Sequence, residues 1–170
     1  MVERAFRGSG RFGPTAFRWV TVMVVGVLVG VVAVGVARAA PGSPSATVWA
    51  ATPVAGTPCS AAAKACVELA THRTWLLRAG QIVVGPVEFA DGDEADPTPR
   101  GTFKVEWKAQ HWTSREFGTP MPNSVFFAPG GIAFHEGRQD TPSAGCVKLS
   151  QSDSQTWFDY LQVGDEVQVR

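Results

Sequence analysis

From Trp19 to Ala37 the chain carries no charged side chain, and this run restricts what the rest of the molecule can be. About 20 apolar residues span a bilayer as a helix, whereas signal-peptide cores run to about 7–15. Arg4, Arg7, Arg11 and Arg18 precede it against Glu3 alone. Basic flanks stay in the cytoplasm, so everything beyond the run is exported. The length predicts a single-pass anchor. Ala37-Arg38-Ala39 has the small residues of a signal-peptidase site, and secretion after cleavage near Ala39 is the alternative.

The chain therefore divides into a basic cytoplasmic segment (1–18), a transmembrane helix or signal-peptide core (19–37), a linker (38–58) and a globular domain (59–170). The linker is rich in Pro, Ser and Ala and has no charge between Pro41 and Pro58. Such a segment buries too little apolar surface to offset its ordering entropy. The 112 residues from Cys59 onward suffice for one hydrophobic core. Beyond Val20 there are 11 basic and 14 acidic residues, a formal net of −3. With no Arg/Lys stripe, nucleic acid is excluded as a partner class. Neither an internal repeat nor a heptad pattern is present, and the domain reads as a monomer.

The three cysteines divide two and one. Cys59 and Cys66 bracket six small or flexible residues, while Cys146 stands far away in a Gly-containing corner. In an oxidising exported compartment the first two are expected to form a disulfide. Two free thiols on a small-residue helix is one alternative. A zinc site from Cys59, Cys66 and His72 is another, although its spacing matches no usual ligand pattern.

The remaining pattern predicts a mainly β domain with one or two short helices. Val67–Leu69, Thr74–Leu77 and Ile82–Val87 are β-prone, with Ala79-Gly80-Gln81 as a turn, and 91–99 reads as an exposed loop. Thr102–Lys108 alternates with period two, which predicts one strand burying Phe103, Val105 and Trp107. Val125–Phe127 and Ile132–Phe134 flank Pro129-Gly130-Gly131 as a hairpin ending at His135. Ser150-Gln151-Ser152-Asp153 has capping-box form with the shorter Asp, opening a helix to about Leu161 with Trp157, Phe158 and Leu161 on its core face. Glu166–Val169 closes the domain as a strand.

Phe134-His135-Glu136-Gly137 and Ser143-Ala144-Gly145-Cys146-Val147-Lys148-Leu149 place a histidine and a cysteine in one polar corner between apolar runs. A thiol becomes an effective nucleophile when its thiolate is stabilised, and imidazole commonly does this. Gly145 lets backbone N–H groups turn toward a developing oxyanion. Together they point to covalent acyl transfer. His72 and His111 lie near neither a glycine turn nor a cysteine and read as surface or packing residues.

These two blocks, preceded by Pro99-Arg100-Gly101-Thr102-Phe103, resemble the catalytic domain of the L,D-transpeptidases, the YkuD family, over about Cys66 to Arg170. The resemblance implies a β-sandwich-like domain on the extracytoplasmic face of the membrane, at the cell wall. It implies an enzyme that cross-links peptidoglycan stem peptides between diaminopimelate residues, using a tetrapeptide donor ending in D-alanine. It also implies acylation by carbapenem-type inhibitors and chemistry that needs no metal or cofactor. Carried onto this sequence, Cys146 is the nucleophile, His135 the base, and the backbone around Ala144, Gly145 and Cys146 the oxyanion site. Ser143, Lys148, Phe127 and Gly137 are candidate substrate contacts. Lys148 either holds a substrate carboxylate or is a solvated surface lysine. His111-Trp112, Met121-Pro122-Asn123 and Phe126 are further groove candidates.

The chain departs from the family pattern twice. Ala144 stands where a second histidine is frequent, and Glu136-Gly137 replaces Gly followed by Ser or Thr. If His135 ends a strand, Glu136 points to the opposite face, and a backbone carbonyl is the expected partner of the imidazole. Two other functions share these residues: an L,D-carboxypeptidase in which water resolves the thioester, and a catalytically silent wall-binding module.

Overall fold

The computed structural model describes residues 51–170. The anticipated anchor at 19–37 and most of the linker lie outside the described residues. Among the described residues no helix is long and apolar enough to cross a membrane. The chain order is β1 (Ala65–Glu68), β2 (Arg73–Arg78), β3 (Gln81–Glu88), β4 (Gly101–Lys104), β5 (Trp107–Ala109), β6 (Ser124–Ala128), β7 (Ile132–Glu136), β8 (Val147–Leu149), α1 (Gln151–Tyr160) and β9 (Glu166–Val169).

The strands form two sheets, β3-β2-β1-β9-β4 and β5-β6-β7-β8. Between them lies the main core, with Ala65, Val67, Leu76 and Val167 from the first sheet and Val125, Phe127, Phe134, Val147 and Leu149 from the second. Trp157 and Leu161 of the α1 segment complete it. The β2–β3 hairpin turns through Ala79 (φ 50°) and Gly80 (φ 74°), a pair of positive φ values that matches the right-handed strand twist. β9 closes the domain by lying parallel to β1 and antiparallel to β4.

Helix α1 starts where its cap predicts. Ser150 Oγ accepts from the Asp153 N–H at 3.2 Å and donates to Asp153 Oδ2 at 2.6 Å. The short Asp side chain thus closes the box through the hydroxyl, where a longer Glu would reach the cap's own N–H. Trp157 and Leu161 are fully buried and Phe158 half-buried, as the helical spacing requires.

Two expectations are corrected. Thr102–Lys108 is two strands in different sheets, because the backbone changes partners at its middle. The Val105 N–H donates to Asp165 O, whereas the Glu106 N–H donates to Phe126 O. Val105 stays in the core, but Trp107 is 37% exposed and stacks on Phe126 on the outer face of the second sheet. The linker, expected to run to residue 58, gives way earlier. Thr52 O accepts from the Ala61 N–H and the Val54 N–H donates to Cys59 O, seating Val54 in a small cluster with Cys59, Cys66, Trp75 and Leu77. Cys59 and Cys66 are disulfide-bonded there. His72, the third member of the zinc alternative, instead has Nδ1 3.1 Å from Asp91 Oδ1.

Candidate active site

Strands β7 and β8 are parallel, with Phe134 opposite Val147 and His135 opposite Lys148. Side chains alternate faces along a strand, so Phe134, Val147 and Leu149 enter the core while His135 and Lys148 share the outer face. Cys146, one residue before β8 and two before Lys148, lies on that outer face too. It packs against the cluster of Met121, Phe126 and Ala133, as does Trp112. The second sheet thus brings thiol and imidazole to one surface, His135 in β7 and Cys146 at the entrance to β8.

His135 is 6% exposed, and its Nδ1–H donates to the Glu136 carbonyl at 2.7 Å. The backbone carbonyl therefore orients the ring, as the alternation of the strand anticipates. With the proton held at Nδ1, the lone pair of the neutral ring sits at Nε2. Burial pushes the imidazole pKa below its usual value; the Glu136 bond opposes this and the Lys148 charge adds to it. Burial likewise pushes the Cys146 thiol up, against a backbone hydrogen bond from Ala133 and the Lys148 charge. Both burial effects favour the uncharged forms, so the thiol and the imidazole both rest neutral, and the thiol donates to the Gly131 carbonyl at 3.8 Å. A neutral thiol and a neutral imidazole on one face can act by proton transfer at the moment of attack.

The loop before Cys146 is tied to the acidic loop that follows β3. The Ser143 N–H donates to Asp91 O at 2.7 Å, and Ser143 Oγ donates to Cys146 O at 2.6 Å. Gly145 has φ +89°, and a Cβ there would stand 2.7 Å from Ile132 Cδ1. The N–H groups of Ala144, Gly145 and Cys146 have no hydrogen-bond partner among the described residues. Free backbone donors beside a thiol suit a developing oxyanion.

Other predicted contacts fall differently. Lys148 is not a solvated lysine. It is 8% exposed, and its ammonium donates to Thr141 O at 2.5 Å, Thr141 Oγ1 at 3.0 Å and Pro142 O at 3.2 Å. With its donors committed to the 141–142 segment, it has none left for a substrate carboxylate. Gly137 makes room for that stem, since a Cβ there would meet Lys148 Cδ at 2.8 Å. Phe127 is also not a groove residue. It is 1% exposed and packs against Phe103 and Phe134 in the core, because its position in β6 faces inward. Phe126 is buried under Trp107 on the opposite face. Met121 belongs to the apolar cluster against which both Cys146 and Trp112 pack. His111 is exposed, and Asn123 is turned away to donate to Ser154 Oγ at 3.1 Å. Thr98 was not singled out by its sequence, where it only precedes the Pro99-Arg100-Gly101 run; its buried hydroxyl contacts the Cys146 loop.

Comparison with known proteins fits this geometry. Residues 62–169 match the L,D-transpeptidase catalytic domain, YkuD. No curated protein matches the sequence. Among solved structures, the chain is similar to an L,D-transpeptidase from Stackebrandtia nassauensis at 27% identity and TM-score 0.59, covering 62% of this chain and 54% of that one. It is similar in fold to an L,D-transpeptidase from Xylanimonas cellulosilytica at 23% identity and TM-score 0.60, covering 67% and 63%. A third, an LD transpeptidase in complex with imipenem, is 22% identical with TM-score 0.57, covering 66% and 60%. The chain thus spans between about half and just under two thirds of the length of these structures. With more than half of its length matched, and with a fold shared with these enzymes, the chain belongs to the YkuD family of L,D-transpeptidase catalytic domains.

Proposed function

We propose that this protein is a cysteine-dependent L,D-transpeptidase of peptidoglycan. The observation that carries the reading is the placement of Cys146 and His135 on the outer face of one sheet, with the imidazole held by the Glu136 carbonyl. In this mechanism His135 Nε2 takes the thiol proton as Sγ attacks the carbonyl preceding the terminal D-alanine. The C–N bond breaks, D-alanine leaves with that proton, and a thioester remains on Cys146. A diaminopimelate amine of a second stem then attacks the thioester, His135 receives its proton, and the C–S bond breaks to release a 3-3 cross-link and restore the thiol. Ala144, Gly145 and Cys146 supply backbone donors to the oxyanion in both steps. The uncharged 19–37 run retains the enzyme at the outer face of the membrane, which raises its effective concentration at the wall.

Mass spectrometry of products from purified disaccharide tetrapeptide tests this with the full chain and its Cys146→Ala variant. The expected product is a cross-linked dimer lacking one D-alanine, absent with the variant. Free tripeptide would convert the reading to an L,D-carboxypeptidase. Unchanged substrate with a folded protein would convert it to a binding module.

A further inference from the structure

The buried hydroxyl of Thr98 bridges two loops. It accepts from the Gly92 N–H at 3.0 Å and donates to the Gly145 carbonyl at 2.9 Å. The site is built closely around it. Thr98 is 4% exposed, and a Cβ on Gly92 would stand 2.9 Å from both the Gly145 and Thr98 nitrogens and 1.9 Å from Asp96 O. Gly92 also pairs with Ser143 in an isolated bridge. The hydroxyl's donor is therefore engaged on the residue immediately before the thiol, and one acceptor lone pair is engaged by Gly92.

The Gly145 carbonyl and the Cys146 N–H belong to one peptide unit. A trans peptide is planar, with its C=O and N–H pointing in opposite directions, and Gly85-Pro86 is the cis bond among the described residues. Anchoring the carbonyl to Thr98 therefore turns the Cys146 N–H away from the loop that carries Thr98. That N–H has no partner among the described residues. Gly145, at φ +89°, is the residue in this loop whose backbone is freest to rotate the unit.

We infer that Thr98 is a positioning residue for the oxyanion site: its hydroxyl fixes the peptide plane whose other end, the Cys146 N–H, receives the developing negative charge. This inference rests on the proposed acyl-transfer reading of Cys146. The Thr98 hydroxyl bonds to the Gly92 N–H and the Gly145 carbonyl and not to the sulfur. Its contribution is to orient one donor before the reaction, which is where preorganised donors gain their effect.

Two reactions of the same thiol separate this role from general support. Acylation by imipenem joins Sγ to the lactam carbonyl, breaks its C–N bond, passes the thiol proton to that nitrogen, and develops an oxyanion. Alkylation by iodoacetamide displaces iodide at carbon and develops none. Both are followed by mass spectrometry on the full chain as wild type, Thr98→Val and Thr98→Ser, with a thermal melt of each. Thr98→Val keeps the shape and loses the hydroxyl, and is expected to slow acylation by roughly 10- to 100-fold, at or below the loss on deleting an oxyanion donor. Its alkylation is expected to stay within about two-fold of wild type, and Thr98→Ser to recover most of the acylation rate, since the hydroxyl alone is required. Acylation of Thr98→Val at the wild-type rate overturns the inference, as does an equal loss of acylation and alkylation, which would make Thr98 a support for the sulfur itself. If wild type is alkylated but never acylated, the acyl-transfer reading fails, and this inference with it.

Discussion

His135 and Lys148 stand opposite each other on parallel strands β7 and β8, yet each is bound to a different part of the backbone. The imidazole donates to the carbonyl of Glu136, its own neighbour, while the ammonium reaches into the 141–142 segment. One pairing thus supplies a base with a fixed lone pair, together with a cation whose charge opposes protonation of that base.

The base is expected to remain neutral at lower pH than an ordinary histidine, since burial first and the Lys148 charge second depress its pKa. The acid limb of kcat/KM should then lie below about 6.5, the unperturbed histidine value. A limb at or above that value would mean that another group controls activity. In linkage terms, the unfolded chain binds this proton more readily. The stability from neutral His135 is thus complete above about pH 6.5 and is lost as pH falls from there through the lower folded pKa. His135→Gln should flatten the stability profile across that window, measured by urea unfolding at each pH.

Replacing Lys148 by Met retains the buried stem and removes the ammonium. The carbonyls of Thr141 and Pro142 lose their donor, and about 1–3 kcal/mol of stability should go with it. The same substitution removes a charge that lowers the His135 pKa, so the acid limb should move up. Lys148→Arg should keep the limb near its wild-type position. Denaturant titration and a pH–rate profile read the two effects separately, and an unmoved limb in Lys148→Met would discount the charge coupling.

Gly145→Ala combines a positive φ with a Cβ 2.7 Å from Ile132 Cδ1. A left-handed conformation costs a residue with a Cβ roughly 1–2 kcal/mol, and the contact adds to it. Pairing the change with Ile132→Val removes the Cδ1 atom and should recover the steric part alone. Thermal melts of the four proteins in this cycle give the division; strictly additive losses from the two changes would place the whole cost in the backbone.

The Cys59–Cys66 bond closes a short loop, with a sequence separation of 7. Opening it by changing both residues to Ala should cost about 2–3 kcal/mol on the chain-entropy scale, seen as a lower midpoint in denaturant. Reaction of Cys146 with iodoacetamide should be unchanged under native conditions, because the disulfide lies in a separate cluster with Val54, Trp75 and Leu77. A changed rate would reveal coupling between that cluster and the site.

Much of this architecture is written locally in the chain. The β2–β3 turn, the Ser150 cap and the inward face of α1 depend on neighbours within a few residues, where capping chemistry and periodicity act. The carbonyl partner of His135 was also foreseeable, since alternation along a strand sends Glu136 to the other side. The division of Thr102–Lys108 between two sheets was not foreseeable. Its alternation is regular, and only the distant acceptors Asp165 and Phe126 show where it divides. Phe126 and Phe127 posed a similar problem: alternation separates them, but which face is sealed depends on the sheet packed above.

The chemistry available to this protein was determined by its sequence: one thiol apart from a bonded pair, one histidine at a strand end, and a glycine where the backbone must turn. Tertiary structure alone decided how these groups work together. Parallel pairing of β7 with β8 set Lys148 against His135, and the meeting of two loops brought Thr98, 47 residues before Gly145 in the chain, onto its carbonyl. Such pairings follow from which faces are buried together, and burial is a property of the whole packed domain, to which each local segment contributes only one side.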